Sequence, residues 1–263
     1  MRRLALLCDD ERRMNEVVGR LAAAGCVAAV EEAGELLAHA PDERTLDAWV
    51  CRREHGEPLA WITGRMRFCG REVRVAPGVY VPRVQTEELA RRAVTATPRG
   101  GRVADLCTGS GAIAAHIRDR VSRAHVVGVD VDVRAARCAH VNGVPVVVAD
   151  VEDVPLRGQA FDIVTAVPPY VPTGATRLLA ADVRRHEPRA AVDGGVDGLD
   201  VARRVVATAA RLLRPGGTLL VEIGGDQDVA VTATLAHAQF GAVETWCDDE
   251  GELRGIAAVA RGA

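Results

Sequence analysis

The sequence predicts a doubly wound α/β domain behind a small all-helical segment, and three observations predict it. A short apolar run, Val103–Cys107, breaks at Thr108-Gly109-Ser110-Gly111 and passes into the Ala/Ile-rich stretch Ala112–Arg120. That is the strand, glycine turn and helix with which such sheets open. Two further apolar runs end in acidic residues, Asp130 and Asp150, as buried parallel strands ending at a ligand crevice do. The N-terminal region instead repeats apolar residues at helical intervals.

In chain order, Asp9–Ala24, Val27–His39 and Asp42–His55 read as three helices, broken at Gly25 and Pro41. Pro41-Asp42 is a helix start. After the first strand and helix, His125–Val129 and Pro145–Ala149 are the second and third parallel strands. Phe161–Val167 is the fourth, closed by Pro168-Pro169. Leu178–His186 reads as a short helix inside a long insertion, and Asp193–Gly198 as a turn-rich loop. Leu199–Leu213 is an amphipathic helix ended by Pro215-Gly216-Gly217. Thr218–Ile223 is a fifth strand and Gln227–Gln239 a helix. Ala242–Cys247 and Ile256–Ala260 form a closing antiparallel pair around the polar turn Asp248–Gly251.

The glycine loop carries the first chemical signal. Glycine lets the backbone take positive φ and approach a ligand with no Cβ in the way. Asp130 lies 25 residues past Asp105, where a carboxylate accepts hydrogen bonds from two ribose hydroxyls. Asp150 is placed to meet an adenine edge. No Gly-Lys-Ser/Thr follows, so a P-loop is excluded, and Ala114 occupies the third glycine position of the dinucleotide pattern. S-adenosylmethionine, which has no phosphate, therefore fits better than NAD. After the fourth strand, Val167-Pro168-Pro169-Tyr170 opens into the crevice. The prolines stiffen this exit and leave carbonyls without competing N–H groups. Tyr170 can lay a flat ring against an amide or a guanidine.

Composition bounds the rest. At 263 residues the chain accommodates two domains. Net charge is −3 and aromatics are 3%, which argues against nucleic-acid binding. All 33 basic residues are arginine, so no lysine is available for Schiff-base or general-base work. The abundance of Arg, Ala, Val and Gly suggests a GC-rich bacterial genome. Cys8, Cys26, Cys51, Cys69, Cys107, Cys138 and Cys247 are scattered without Cys-x-x-Cys, the pattern of a reduced cytoplasmic protein. Cys107 reads as a small buried filler and His186 as a surface residue. The histidines show no metal-ligand spacing. Met1–Cys8 runs straight into Asp9-Asp10-Glu11, unlike a signal peptide, and the apolar runs are too short to span a bilayer.

Further motifs extend over nearly the whole chain: Glu57–Gly64, Phe68-Cys69-Gly70, Pro77–Arg83 leading to Thr86-Glu87, Glu187-Pro188, Asp193–Asp200, Arg214–Gly217 and Glu222-Ile223-Gly224. With Asp105–Ala112 and Val167–Tyr170, their order and spacing resemble the HemK/PrmC type of protein-(glutamine-N5) methyltransferase. Asp105-Leu106-Cys107 and His186–Arg189 resemble a divergent, actinobacterial-like branch. The resemblance implies a class I (Rossmann-like, seven-stranded) S-adenosylmethionine-dependent methyltransferase fold. It implies a helical N-terminal substrate-recognition domain over 1–64, a β-hairpin linker over 65–82 and a catalytic domain over 83–263. It implies that Thr86, Asp105, Cys107, Thr108, Gly109, Ser110, Gly111, Asp130, Val131, Asp150 and Val151 bind the methyl donor. Arg83, Glu87, Tyr170 and Glu187 would bind the acceptor, and Val167, Pro168, Pro169, Tyr170 and Glu187 would form the catalytic set, with no metal.

One letter departs from the family. Its tetrapeptide begins with Asn, whose side-chain oxygen and the next proline carbonyl hold the two N–H bonds of the target nitrogen. Val167 accepts no hydrogen bond, and a buried amide N–H left unpaired costs on the order of 1–3 kcal/mol. Three readings follow: a release-factor glutamine methyltransferase with a weakened or repaired grip; an N-methyltransferase of a small amino-acid-like molecule, such as the guanidine of arginine; or an inactive S-adenosylmethionine-binding module. A guanidinium prefers carboxylate partners, so the second reading looks to Glu87 or Glu187.

Overall fold

The structure, a computed structural model, describes residues 2–261, with side chains from residue 10 onward; Cys8 lies outside the described side chains. Helices α1 (Arg2–Ala23), α2 (Ala29–His39) and α3 (Glu43–Glu54) come first. They bury Val17, Leu21, Ala33, Leu36, Leu46 and Val50 against one another. Gly25 turns the chain after α1 with φ +87°. The Asp42 carboxylate accepts the Thr45 N–H at 2.7 Å and caps α3. A short helix α4 (Leu59–Thr63) leads into the antiparallel pair β1 (Arg65–Phe68) and β2 (Arg71–Arg74). The pair is joined through Cys69 and Gly70, both at positive φ, as two-residue hairpins require. The paired strands end at Arg74. The segment that follows is irregular and forms a cavity wall.

The remaining elements are α5 (Glu87–Ala96), β3 (Arg102–Leu106), α6 (Ala112–Arg120), β4 (His125–Asp130), α7 (Val133–Val141), β5 (Val146–Val148) and β6 (Phe161–Ala166). Then come α8 (Ala181–His186), α9 (Asp200–Leu212), β7 (Leu213–Glu222), α10 (Asp228–His237), β8 (Phe240–Cys247) and β9 (Leu253–Ala260). Seven strands form one sheet in the order β5-β4-β3-β6-β7-β9-β8. β3 to β7 are parallel, and β9 runs antiparallel to both β7 and β8. This is the class I methyltransferase architecture. Side chains alternate across it: Ile163 and Leu220 pack with α5 and α6, whereas Val164, Leu219 and Val221 pack with α9 and α10. Strand order reverses between β3 and β6, so the crevice lies at their C-terminal ends.

Two elements differ from expectation. Pro215-Gly216-Gly217 does not precede the fifth strand of this sheet. It lies inside β7, as an excursion where the pairing shifts from Phe161–Leu213 to Ile163–Thr218. Gly217 fits because a Cβ there would sit 3.0 Å from the carbonyls of Arg214 and Asp162. The insertion helix is only Ala181–His186; Thr173–Leu178 before it is a tighter 3₁₀ turn.

Candidate active site

The ends of β3, β4, β5 and β6 open into one cavity of about 510 Å³. The loop after β3 is pinned before any ligand arrives. Asp105 is fully buried and accepts the hydroxyls of Thr108 at 2.6 Å and Thr165 at 2.7 Å. Asp130 accepts the Gly109 N–H on one oxygen (2.8 Å) and the Asp132 N–H on the other (2.9 Å). A carboxylate oxygen has two lone-pair sites, so both retain capacity for a ribose hydroxyl. Cys107 holds φ +53°, the left-handed region uncommon outside glycine. Burial pushes its thiol upward, with Asp130 and Asp105 adding to the rise, which disfavours the thiolate.

The wall accommodates S-adenosylmethionine. Ser110 Oγ and Thr86 Oγ1 are buried on it without a hydrogen-bond partner, although Thr86 lies beside Glu222. Unpaired buried hydroxyls are costly unless a ligand or water meets them. Ile113, Val131, Ala149 and Val151 offer an apolar slot next to Asp130 and Asp150.

Burial pushes the Asp105 carboxyl up from 3.8 to about 6, against the lowering by the Thr108 and Thr165 hydroxyls. A carboxyl whose folded-state pKa is raised stabilises the fold when protonated, and that contribution is lost as pH rises from about 4 to about 6. Asp105→Asn should flatten this loss, by on the order of 2–3 kcal/mol. Urea midpoints of both proteins across that window test it; parallel pH profiles would contradict it.

The other end of the cavity is built on Val167–Tyr170. Val167 lines the wall and packs its other flank on the apolar cluster between the sheet and helices α5 and α6. Tyr170 is held from three sides. Its hydroxyl donates to the buried Glu222 at 3.3 Å, and its carbonyl accepts the Gln227 side-chain amide at 2.9 Å. Its ring lies on Gly224, where a Cβ would come within 3.2 Å. The loop Asp193–Gly198 packs directly beneath: Cβ atoms at Gly194 and Gly198 would stand 2.5 Å from the Pro169 carbonyl and 2.3 Å from the Tyr170 carbonyl. Above, Leu179, Val183 and Ala190–Val192 complete an apolar wall.

Arg83 also lines this end. Its guanidinium bonds Glu187 at 2.7 Å and sits 4.8 Å from the Tyr80 ring centre. Glu187 is 7% exposed, and burial pushes its carboxyl up against the opposing effect of Arg83. His186 is half-buried, not a surface residue: its ring stands edge-on to Trp61 at 6.1 Å. Trp61 in turn donates to the Val79 carbonyl. Helix α4 thus touches both the strap over the cavity, residues 171–192, and the wall segment before Arg83.

Arg83, Thr86, Cys107, Thr108, Gly109, Ser110, Asp130, Val131, Asp150, Val151, Val167, Pro168, Pro169 and Tyr170 share the wall. Four predicted residues lie off this wall. Glu87 turns to the Cys69 N–H (2.7 Å) and to Arg91. Glu187 faces Arg83 behind the wall. Asp105 lies under the loop, holding hydroxyls. Gly111 starts α6 at φ +78°, and its missing side chain makes room for Ala139 and Val144. The sequence reading missed Tyr80, Asp132, Leu179, Val183 and Arg204 on the wall and Glu222 behind it. Only Asp132, an N-cap for α7, carried a local signal.

Among the described residues, no cluster of three or more His, Cys, Asp or Glu could hold a metal ion. No described helix is long and apolar enough to cross a membrane.

A methyltransferase domain family model matches residues 103–187. The release factor glutamine methyltransferase of Geobacter sulfurreducens is 39% identical over 196 residues, covering 73% of this chain and 69% of the relative. The 4-amino-L-phenylalanine/4-methylamino-L-phenylalanine methyltransferase of Streptomyces pristinaespiralis is 36% identical over 248 residues, covering 84% and 85%. Among solved structures, an E. cuniculi complex responsible for methylating a translation termination factor aligns with TM-score 0.54 at 24% identity, covering 70% of this chain and 99% of that one.

Proposed function

This chain belongs to the release factor glutamine methyltransferase family and is an S-adenosylmethionine-dependent methyltransferase, and from that premise we propose that it methylates the amine nitrogen of a free amino-acid-like molecule. Val167 is the observation that carries this reading. An amide lone pair is delocalised into its carbonyl, so methyl transfer to glutamine depends on holding both N–H groups. An amine, even an aromatic one whose lone pair is partly shared with its ring, is a better nucleophile than an amide and needs chiefly to be aimed. Removing one acceptor therefore penalises a glutamine far more than an amine. The Streptomyces pristinaespiralis relative, by its name, acts on an amino acid with an aromatic amine, and the apolar wall of Leu179, Val183 and Val192 suits such a ring.

In this reading Asp130 takes the ribose hydroxyls, Val131 and Val151 flank the adenine, and Ser110 and Thr86 gain the partners they lack. The bound donor supplies a methyl group on positively charged sulfur. The Pro168 carbonyl accepts one N–H of the incoming nitrogen, Tyr170 packs its ring beside it, and the strap excludes water. A guanidine acceptor fits less well: Glu87 and Glu187 already have arginine partners, and Arg83 on the wall opposes a second cation. Retention of Pro168-Pro169-Tyr170 favours the release-factor reading as the second choice.

Mass spectrometry with deuterated-methyl S-adenosylmethionine, offered a release factor, 4-amino-L-phenylalanine and arginine together, tests the assignment. Label on the aromatic amine is expected. Label on the release-factor glutamine alone would overturn it, and label on none would leave a binding module.

A further inference from the structure

Resting on the small-molecule reading above, we propose that Arg83 is the carboxylate-recognition residue of the acceptor site, so that the acceptor carries a carboxylate at the end remote from its amine. Among the described residues two arginines line the cavity, Arg83 and Arg204. Arg204 lies toward the β5 end, 3.8 Å from Asp150, which leaves Arg83 as the cation of the acceptor end. Its side chain is 32% exposed, and one hydrogen bond ties it to Glu187. A guanidinium has five N–H donors in a rigid fork, so most of that fork remains for a ligand. Tyr80 and Glu187 fix its plane from two sides, the preorganisation that a bidentate carboxylate contact needs. Neighbouring wall residues Val79, Pro82 and Pro188 are apolar and do not compete for the fork; the Tyr80 hydroxyl and Glu187 are its polar neighbours.

The test compares 4-amino-L-phenylalanine with 2-(4-aminophenyl)ethylamine, which keeps the aromatic amine and lacks the carboxylate. With the wild-type enzyme, removing the carboxylate should lower kcat/KM by about 10- to 100-fold, chiefly through KM, as loss of a charge-assisted contact does. In Arg83→Met the two acceptors should become equivalent within about twofold. Because that change leaves Glu187 buried and unpaired, the double variant Arg83→Met/Glu187→Gln serves as the folded control. Equal use of both acceptors by the wild type overturns the inference and leaves the amine reading standing. Methylation of the release factor alone removes both. An Arg83→Met variant that loses S-adenosylmethionine affinity by calorimetry, with acceptor KM unchanged, would instead assign Arg83 to the donor's own carboxylate.

Discussion

Asp130→Ala is expected to lower S-adenosylmethionine affinity by about two orders of magnitude. Hydrogen bonds to a charged group contribute about 1.5–3 kcal/mol each. Two ribose contacts at the lower bound come to about 3 kcal/mol, or roughly 100-fold. The side chain acts twice, because the same carboxylate fastens Gly109 and Asp132. Alanine therefore frees the loop that carries Ser110 as well as removing the ribose acceptor. Asp130→Asn keeps one acceptor oxygen and should fall between the two, near a tenfold loss. Isothermal calorimetry on both variants, with thermal unfolding to show that the fold survives, decides the point. Unchanged affinity in Asp130→Ala would take the ribose role away from this residue.

What could be read from the sequence was local. β3, the glycine loop and α6 follow one another without interruption, and each announces itself by periodicity or by glycine. Helix α7 gave little signal because the residues it buries, Ala135, Ala136, Cys138 and Ala139, are too small to mark a hydrophobic face. Side-chain direction was the main thing lost. Motif membership put Glu87 and Glu187 near the site, but not which way they point. Arg91 stands four residues after Glu87, the spacing at which a helix pairs opposite charges, so that contact was readable in principle. Arg83 and Glu187 are 104 positions apart, and no local pattern links them. Glu222 was quoted for its motif alone; its bond to Tyr170 depends on β7 lying beside β6, a fact of sheet order.

Val167→Asn should move the enzyme toward glutamine. The substitution restores a side-chain acceptor at the end of β6, beside two prolines whose carbonyls are already in place. One recovered hydrogen bond of about 1–3 kcal/mol corresponds to roughly 5- to 150-fold in kcat/KM on a release-factor glutamine peptide. The gain should appear in kcat, since the bond aligns the nitrogen for transfer. The same change should weaken methylation of an aromatic amine, because an amide on the flank of an apolar cluster is satisfied only when the acceptor brings its own N–H groups. It also carries a fold cost of about 1–3 kcal/mol for a poorly partnered polar group, visible as a lower unfolding temperature without substrate. Val167→Ala separates the two effects: it loosens the packing and adds no acceptor, so it should lower stability without raising glutamine methylation. If Val167→Asn alters neither acceptor's kcat/KM, position 167 does not grip the target nitrogen, and the substrate preference must be set by the strap and Arg83 instead.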